Sequence, residues 1–290
     1  MRLPRRLISF LLIADLLISM EIQALEFPPD SNVPGSIVSV PFVTPPGQRP
    51  RAYYQGRRVM VLEQSGGWRA IVGIPLTVSP GMHTLEVHSG NQKTTYTFRI
   101  NPKTYAAQYL TLQDQRKVEP WPSDLARIRR ETRLIEKAKA HWRENDEASL
   151  ELSLPLEGRF SSPFGLRRFF NGQPRNPHSG LDIAVAEGTP VGAAASGQVL
   201  TTGDFFFNGK TVFIDHGQGL ITMYCHLHRI DVMPGQEIRR GQRIGLAGKT
   251  GRATAAHLHL GVILNQTMVD PVMLLLRARA YEVEKGHFVK

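Results

Sequence analysis

Histidine and aspartate residues in the C-terminal half have types and spacings that could bind a metal. His178 is followed four residues later by Asp182, and one leucine separates His257 from His259. Residues two or four apart on a β-strand point to the same face. Imidazole nitrogen and carboxylate oxygen are both good ligands for Zn²⁺, and a catalytic zinc typically keeps about three protein ligands and one position for water. The two segments together therefore predict a catalytic zinc site.

A second histidine pair leaves the choice of ligands open. Tyr224, His226 and His228 alternate along one apolar run, so a strand would place a phenol and two imidazoles on one face. On spacing alone, either this pair or the later one could complete a site begun by His178 and Asp182. The histidines that are not ligands would then be available as general acid or base.

Several other kinds of active site are excluded by the sequence. It contains no HExxH helix motif, no GxSxG nucleophile motif and no P-loop. Cys225, the only cysteine, lacks the surroundings of a catalytic thiol, and its apolar neighbours predict that it is buried. A single cysteine also excludes an intramolecular disulfide, so stability must come from apolar cores or from a metal.

The segment that carries these residues is expected to be an all-β domain. From residue 158 to 264, glycines punctuate short runs of Val, Ile and Leu, and no long helical pattern occurs. This pattern is typical of many short strands joined by tight turns. We assign this domain to residues 151–280 and a C-terminal tail to residues 281–290.

The N-terminal half is expected to form a second, smaller β domain over residues 25–115. Short alternating runs separated by Gly, Ser and Asn turns indicate an antiparallel β-sandwich. His83 and His88 are isolated in this half and are expected to lie at the surface. The predicted strands cover residues 37–42, 59–63, 68–74, 83–88 and 94–100.

One amphipathic helix is expected between the two domains. Within a linker at 116–150, apolar residues recur with helical period over 123–145, and Ser123 is suited to the N-cap position. The residues before it, 101–122, show no regular pattern. The helix could pack against either domain.

The first 24 residues have the pattern of a secretory signal peptide. Three arginines precede an apolar run of 14 residues that contains Asp15. The run is short for a membrane span, and a signal peptide retained as a membrane anchor is the alternative. Removing residues 1–24 takes away three basic and two acidic residues, so the net charge changes from +10 to +9. A basic exported protein in the periplasm or cell envelope is attracted to anionic wall or membrane polymers. Nucleic acid is not an expected partner there.

The C-terminal half closely resembles the lysostaphin/LytM family of zinc metalloendopeptidases, including peptidoglycan DD-endopeptidases. The resemblance covers about residues 158–272. The N-terminal part, less specifically, resembles the prodomain region of proteobacterial members. The motifs that match in order and spacing are SPFGLRR (162–168), HSGLDIA (178–184), GTPV (188–191), IDHG (214–217), YCHL (224–227), GQRIG (241–245), TGRATAAHLH (250–259) and VDP (269–271).

The resemblance implies a mainly β fold: a C-terminal domain of two antiparallel sheets with an open groove, of the LytM or duplicated-hybrid-motif type. It implies one Zn²⁺ per chain, held by His178, Asp182 and His259, with His226 and His257 as catalytic histidines. Tyr224 either adds a hydrogen bond to substrate or oxyanion or packs as an aromatic residue. The expected substrate is the peptide stems of peptidoglycan, and the expected state is a monomer.

One departure from the family concerns the turn before the HxH motif, where Ala255 and Ala256 replace the Gly-Pro of many members. This is expected to alter the turn without removing a ligand. Two other functions compete. Some family members lack ligands and activate amidases without catalysis, and sugar-transport phosphocarriers use paired histidines on a similar barrel. The complete set of five positions and the signal sequence argue against them. Whether the N-terminal half inhibits the enzyme or targets it to the wall is left open.

Overall fold

The computed structural model describes residues 32–45, 49–64, 66–145 and 148–275. The predicted signal sequence at 1–24 and the predicted tail at 281–290 lie outside the described residues. Within the described part of the chain, no helix has the length and apolar character needed to cross a membrane.

The N-terminal half is one curved antiparallel sheet. Its order is β1-β4-β3-β2-β5-β6, and the two edge strands approach each other, so the sheet is nearly closed. Along the last strand, Phe98 and Ile100 are buried while Thr97 and Arg99 are exposed, as the alternating sequence predicts. The strands are β1 (Ile37–Phe42), β2 (Arg51–Tyr54), β3 (Arg57–Gln64), β4 (Gly67–Gly73), β5 (Gly81–Ser89) and β6 (Gln92–Ile100).

The strand expectations for this half are confirmed, with one omission. The five predicted runs coincide with strands to within one residue, but β2 was missed because its four residues are too few to show a period. His83 and His88 are half-buried rather than fully at the surface. The His83 ring lies 3.0 Å from the Tyr54 hydroxyl, which explains its partial burial.

The connecting segment contains a strand, a short 3₁₀ helix (Gln115–Lys117) and one α-helix. Strand β7 (Ala107–Leu110) interrupts the stretch that looked irregular, and helix α1 (Pro122–Lys139) follows. The helix begins one residue before the predicted N-cap Ser123, because Asp124 in its first turn accepts a hydrogen bond from the Trp121 amide. It also ends before the predicted residue 145. After it, Arg143 binds the buried carboxylate of Asp215 at 2.5 Å instead of extending the helix.

The C-terminal half contains two antiparallel sheets, as predicted. The larger has the order β17-β13-β14-β15-β19-β11-β8, with β20 added beside β19, and the smaller has the order β12-β18-β16. A third small sheet joins β7 to β9 in parallel and β9 to β10. The strands are β8 (Arg159–Ser162), β9 (Arg167–Phe170), β10 (Gln173–Pro174), β11 (Leu181–Ala184), β12 (Pro190–Gly192), β13 (Gly197–Phe205), β14 (Gly209–Gly217), β15 (Leu220–Leu227), β16 (Arg229–Ile230), β17 (Glu237–Ile238), β18 (Arg243–Leu246), β19 (His257–Leu264) and β20 (Thr267–Val269).

Helix α1 packs on the C-terminal half. Ala138 and Ile135 join an apolar cluster with Phe213 and Ile263 of the large sheet. The buried Glu131 accepts a hydrogen bond from the Phe206 amide at 2.7 Å. The helix therefore covers one face of the sheet that carries the histidine motifs.

The two halves share a core and buried hydrogen bonds. Ile37, Met60 and Ile71 belong to the same apolar cluster as the interior of the C-terminal sheets. The side chain of Asn265 accepts a bond from the Gly73 amide at 2.6 Å and donates one to its carbonyl at 3.0 Å. The halves are therefore joined by fixed, buried contacts.

Replacing Asn265 with glycine is expected to destabilise the protein by about 2–4 kcal/mol, because the buried amide and carbonyl of Gly73 lose their partners. Glycine tolerates the left-handed backbone at this position, where φ is 42°, so the loss reports the hydrogen bonds. The measurement is chemical denaturation. The control is Gln266→Gly, because Gln266 is exposed and has φ of 64°. Equal stability of the two variants would contradict a structural role for the Asn265 amide.

Candidate active site

His178, Asp182 and His259 converge on one point. Nε2 of His178 lies 3.0 Å from Oδ1 of Asp182 and 3.0 Å from Nδ1 of His259, and Nδ1 of His259 lies 2.8 Å from the same carboxylate oxygen. All three side chains are buried. Among the described residues, this is the only group of three or more His, Cys, Asp and Glu side chains that could hold a metal ion.

Strand pairing and one close backbone contact position these ligands. Asp182 on β11 is directly paired with His259 on β19. His178 was expected on the same strand as Asp182, but it precedes β11 and is held by a hydrogen bond from its amide to the Leu166 carbonyl. A Cβ at Gly180 would lie 2.7 Å from the His259 ring, so only glycine allows the chain to pass this close.

The positions of the protons on the His178 and His259 rings favour a cation bound between the three side chains over hydrogen bonds among them. Nδ1 of His178 lies 2.7 Å from the Pro163 carbonyl, which can only accept, so this nitrogen carries the proton. Nε2 of a neutral His178 then presents a lone pair toward the carboxylate and toward His259. Burial lowers the pKa of His259, which favours its neutral form. Two imidazole nitrogens and a carboxylate oxygen that face one another form a suitable ligand set for a divalent metal.

Arg168 holds the other oxygen of the carboxylate. Its Nη2 donates to Oδ2 of Asp182 at 2.8 Å, while Oδ1 faces the histidines. Burial alone would raise the pKa of Asp182, but hydrogen bonds and charge from His178 and His259 in their protonated forms outweigh it and hold the pKa well below its usual range. When the two imidazoles are neutral, a bound cation would take the place of those protons. Asp182 is therefore an anion. Sequence reasoning missed Arg168, because nothing in the Arg167-Arg168 pair distinguishes a buried partner from a solvated charge.

His226 and His257 lie side by side next to this cluster. Their ring centroids are 4.8 Å apart, and Nε2 of His257 lies 3.8 Å from Oδ1 of Asp182. Nδ1 of each ring lies 2.8 Å from a backbone carbonyl, that of Thr250 or Ala255 respectively. In the neutral form, each Nε2 is thus left as a proton acceptor.

A β-bulge brings His226 into the site. Lys210 pairs with Leu227 and Val212 with Tyr224, so β15 carries one extra residue, and His226 has φ of 62°. Tyr224 and Leu227 both enter the core, whereas His226 stands beside His257. The expectation that Tyr224, His226 and His228 share one face is wrong, because it assumed an unbroken alternation.

The comparisons with known proteins agree with this geometry. A crystal structure of a protein of peptidase family M23 from Pseudomonas aeruginosa is 42% identical, with a TM-score of 0.71, and the match covers 84% of this chain and 95% of that one. The sequence model described as Peptidase family M23 matches residues 176–271, and the model of its N-terminal domain matches residues 30–103. The chain belongs to peptidase family M23.

Curated M23 relatives match mainly over the C-terminal half. The peptidoglycan DD-endopeptidase ShyA of Vibrio cholerae is 45% identical over 113 residues, which is 39% of this chain and 26% of ShyA. The DD-carboxypeptidase/endopeptidase Mpg of Neisseria meningitidis is 39% identical over 118 residues, covering 41% of this chain and 27% of Mpg. The chain thus matches about a quarter of the length of these relatives.

Three residues near the sequence motifs do not reach the ligand cluster: Tyr224, His228 and His216. Tyr224 is fully buried, with its hydroxyl 2.8 Å from the Ala194 amide and 3.0 Å from the Thr222 hydroxyl, so it is the packed aromatic of the two alternatives. His228 is exposed and lies 3.0 Å from Glu187. His216 is buried between the Ser196 carbonyl and Thr222. His216 is thus a buried structural residue, and His228 lies at the surface.

Acid is expected to destabilise the M23 fold through His216 and His226. Burial lowers the pKa of both, and for His226, where His257 and His259 also contribute, the pKa is about 3. An unfolded histidine has a pKa of about 6.5. The unfolded chain therefore binds protons first, so stability is full above about pH 6.5 and falls toward pH 3. The slope reaches about 1.4 kcal/mol per pH unit for each histidine.

Denaturation midpoints of the metal-free protein between about pH 7.5 and 5 measure this effect. His216→Asn should reduce the slope, whereas His228→Asn, at an exposed position, should leave it unchanged. A slope that is the same in all three proteins would count against the buried, neutral His216.

Proposed function

We propose that this M23 peptidase is an exported zinc metalloendopeptidase that hydrolyses the peptide cross-links of peptidoglycan. The observation that carries the proposal is the convergence of His178, Asp182 and His259 on one point, with His226 and His257 beside it. Supporting it, the family match at residues 176–271 contains all five residues, and ShyA and Mpg are named for endopeptidase activity.

In this proposal, His178, Asp182 and His259 hold one Zn²⁺ per chain. Bound zinc would lower the pKa of a coordinated water to about 7 and polarise the scissile carbonyl. Arg168 keeps Asp182 oriented and ionised, and the Pro163 carbonyl fixes the tautomer of His178. Such outer partners commonly tune metal sites.

His226 and His257 are proposed to move the protons. With Nδ1 of each ring bonded to a carbonyl, the Nε2 atoms can take the proton of the attacking water and later deliver it to the leaving amine. A protonated imidazole in this pair would also stabilise the negative charge that develops on the carbonyl oxygen. Burial, together with the nearby rings of His257 and His259, lowers the pKa of His226 to about 3, so this ring is neutral at rest and its Nε2 is unprotonated.

The location and partners follow from the same proposal. The chain would act in the periplasm or cell envelope, on peptide stems of the wall, as a monomer. The division into domains at 25–115, 116–150 and 151–280 is part of the proposal. A non-catalytic amidase activator would not need the complete set of five side chains.

The exposed face of α1 is proposed to bind anionic wall or membrane polymers. Arg129, Arg130, Arg133 and Lys137 are exposed there, with Glu136 as the acidic residue among them. Replacing the three arginines with glutamine should weaken binding to phosphatidylglycerol vesicles by about tenfold or more, with the difference vanishing at high salt. The control, with the same loss of charge at exposed positions elsewhere, replaces Arg51, Arg99 and Arg159. An equal loss of vesicle binding in the control would mean that the total charge of the protein, and not the α1 face, determines binding.

The function is tested by the zinc content of the purified protein together with digestion of purified peptidoglycan. Mass analysis of the products should reveal conversion of cross-linked muropeptide dimers to monomers and identify the bond that is cut. Absence of zinc would contradict the metal chemistry. Zinc without cleavage would favour the activator function.

A further inference from the structure

Arg252 lies beside the candidate active site, where two aromatic rings hold its cationic side chain. Its side chain is partly buried, and no carboxylate or carbonyl of the described residues accepts a hydrogen bond from its guanidinium. The guanidinium carbon lies 4.7 Å from the centre of the Phe170 ring and 4.5 Å from that of Phe207. Two aromatic rings therefore fix the position of a charged fork whose N–H groups remain available.

The loop that carries Arg252 also builds the site. The carbonyl of Thr250, two residues earlier, binds Nδ1 of His226, and the Arg252 amide donates to the Phe207 carbonyl at 2.7 Å. The next residue after Phe207 is Asn208, whose carbonyl accepts the His226 amide. The backbone of Arg252 is thus tied to the same segments that orient His226.

The positive charges near Arg252 favour the binding of an anion to its guanidinium. Burial, and then the charges of Arg168 and Arg175, lower the pKa of Arg252 to about 10, so it is still cationic at neutral pH. Arg168 is neutralised by Asp182, whereas Arg175 binds backbone carbonyls, at Pro174 and Val118, and the Gln173 side chain. A planar guanidinium with free N–H groups is suited to bind a carboxylate through two parallel hydrogen bonds.

We propose that Arg252 binds a free carboxylate of the substrate peptide and selects acidic stems over amidated ones. This inference rests on the proposed function and specifies its substrate class. Stem peptides carry carboxylates both on side chains and at the C-terminal end, and either could supply the ligand. Loss of one charge-assisted pair typically costs about tenfold to a hundredfold in binding.

The test compares cross-linked muropeptide dimers that differ only in amidation. One dimer is fully acidic, a second is amidated at the side-chain carboxyl, and a third at the terminal carboxyl. The wild-type protein should cleave the acidic dimer at least tenfold more efficiently, as kcat/KM, than one of the amidated dimers, which identifies the carboxylate. Arg252→Met should lose this preference, since methionine fills the space between the rings without the charge. Arg99→Met, at an exposed position of β6, is the matched control.

A binding measurement separates this proposal from the proposed function. Calorimetric titration of metal-free protein with the same stem peptides requires no cleavage. Tighter binding of acidic than amidated peptide, lost in Arg252→Met and kept in Arg99→Met, would support the subsite even if no bond were cut. Equal affinity of the wild-type protein for all three peptides, or an unchanged preference in Arg252→Met, would overturn it.

A second inference follows independently from β7. Gln108 on this strand is paired directly with Arg168 on β9, and its Oε1 accepts from Nε of Arg168 at 3.2 Å. Its Nε2 donates to the Ser162 hydroxyl at 2.9 Å, which fixes the orientation of the amide. Nη2 of Arg168 then donates to Oδ2 of Asp182. The segment that looked irregular in sequence is thus two hydrogen bonds away from the ligand cluster.

We infer that Gln108 is a positioning residue that acts through Arg168 on the Asp182 carboxylate. With Oδ2 held by Arg168, only Oδ1 faces His178 and His259. A carboxylate that offers one oxygen leaves a coordination position open for water, whereas one that offers both would fill it. This inference rests on the proposed metal site but not on the substrate.

Zinc retention and a spectroscopic readout test the relay without substrate. Arg168→Met should weaken zinc binding in a chelator competition by about tenfold to a hundredfold, and Gln108→Leu by a smaller factor. In the Co²⁺-substituted protein, both should reduce the intensity of the visible absorption, which falls as the coordination number rises above four. Gln108→Glu should keep zinc affinity and cobalt absorption near the wild-type values, because a carboxylate also accepts a hydrogen bond from Arg168.

The matched control is Gln198→Leu, since Gln198 is a half-buried strand glutamine bonded to Gly235 and Glu237, not to Arg168. It should retain wild-type zinc affinity and cobalt absorption. Wild-type values for both readouts in Gln108→Leu would overturn the relay, and so would an equal change in Gln198→Leu. Absence of metal binding in the wild-type protein would reject the metal site and the relay together.

Discussion

Replacing His178 or Asp182 with alanine is expected to remove the metal and abolish hydrolysis. Each side chain supplies one of the three converging ligand atoms, and two remaining ligands bind zinc far more weakly than three. In Asp182→Ala, Arg168 also loses its carboxylate partner, so positive charge is left beside the metal position. Zinc content by atomic absorption and turnover of peptidoglycan measure the two effects on the same preparation.

His228→Ala is the control for the ligand variants, because this exposed histidine lies outside the cluster. It should keep both zinc and activity. A His178→Ala or Asp182→Ala protein that contained one zinc per chain would refute the proposed ligand set. Metal removed from the wild-type protein by a chelator should reproduce the loss of activity, and added Zn²⁺ should restore it.

Alanine at His226 or His257 is expected to lower kcat by about 10²- to 10⁴-fold while zinc is retained. Neither ring supplies an atom to the three-ligand cluster, and their Nε2 atoms are the proton acceptors next to it. Because the two rings act on the same protons, the double variant should lose little more than the worse single variant. The measurements are kcat on a defined dimer and zinc content.

Thermal unfolding distinguishes a chemical role from a structural one for these two residues. Since His226 is buried, His226→Ala creates a small cavity and should lower Tm, whereas His257→Ala, at a more accessible ring, should change Tm little. Loss of zinc together with activity in His257→Ala would contradict its proposed role. Full activity in either variant would do the same.

Sequence reasoning predicted those parts of the fold that local patterns encode. The alternation along β6 and the short HxH spacing at His257 and His259 identified strands and a shared face, and the structure agrees. Two features were mispredicted for physical reasons. The bulge at His226 breaks the two-residue period, and His178 reaches Asp182 from a loop rather than along a strand.

The contacts that sequence reasoning missed are long-range. Strand β7 contains only Ala107–Leu110, is partly exposed and pairs with a strand 60 residues later, so nothing in its own sequence indicates a sheet. Arg168 and Arg252 likewise look like surface charges until the fold brings Asp182 or two phenyl rings to them. Local spacing predicted the candidate ligands, but the groups that orient them become visible only in three dimensions.

The position of Cys225 has a consequence for redox chemistry. Its strand neighbour in the sheet is His259, so the thiol sits beside the candidate metal cluster. Burial raises the pKa of Cys225 to about 12, so the thiol stays protonated at pH 7. Mixed-disulfide formation and sulfenic acid formation both require the thiolate and access to it. In the oxidising envelope proposed above, this unpaired cysteine would persist as an inert apolar side chain and would leave the neighbouring cluster undisturbed.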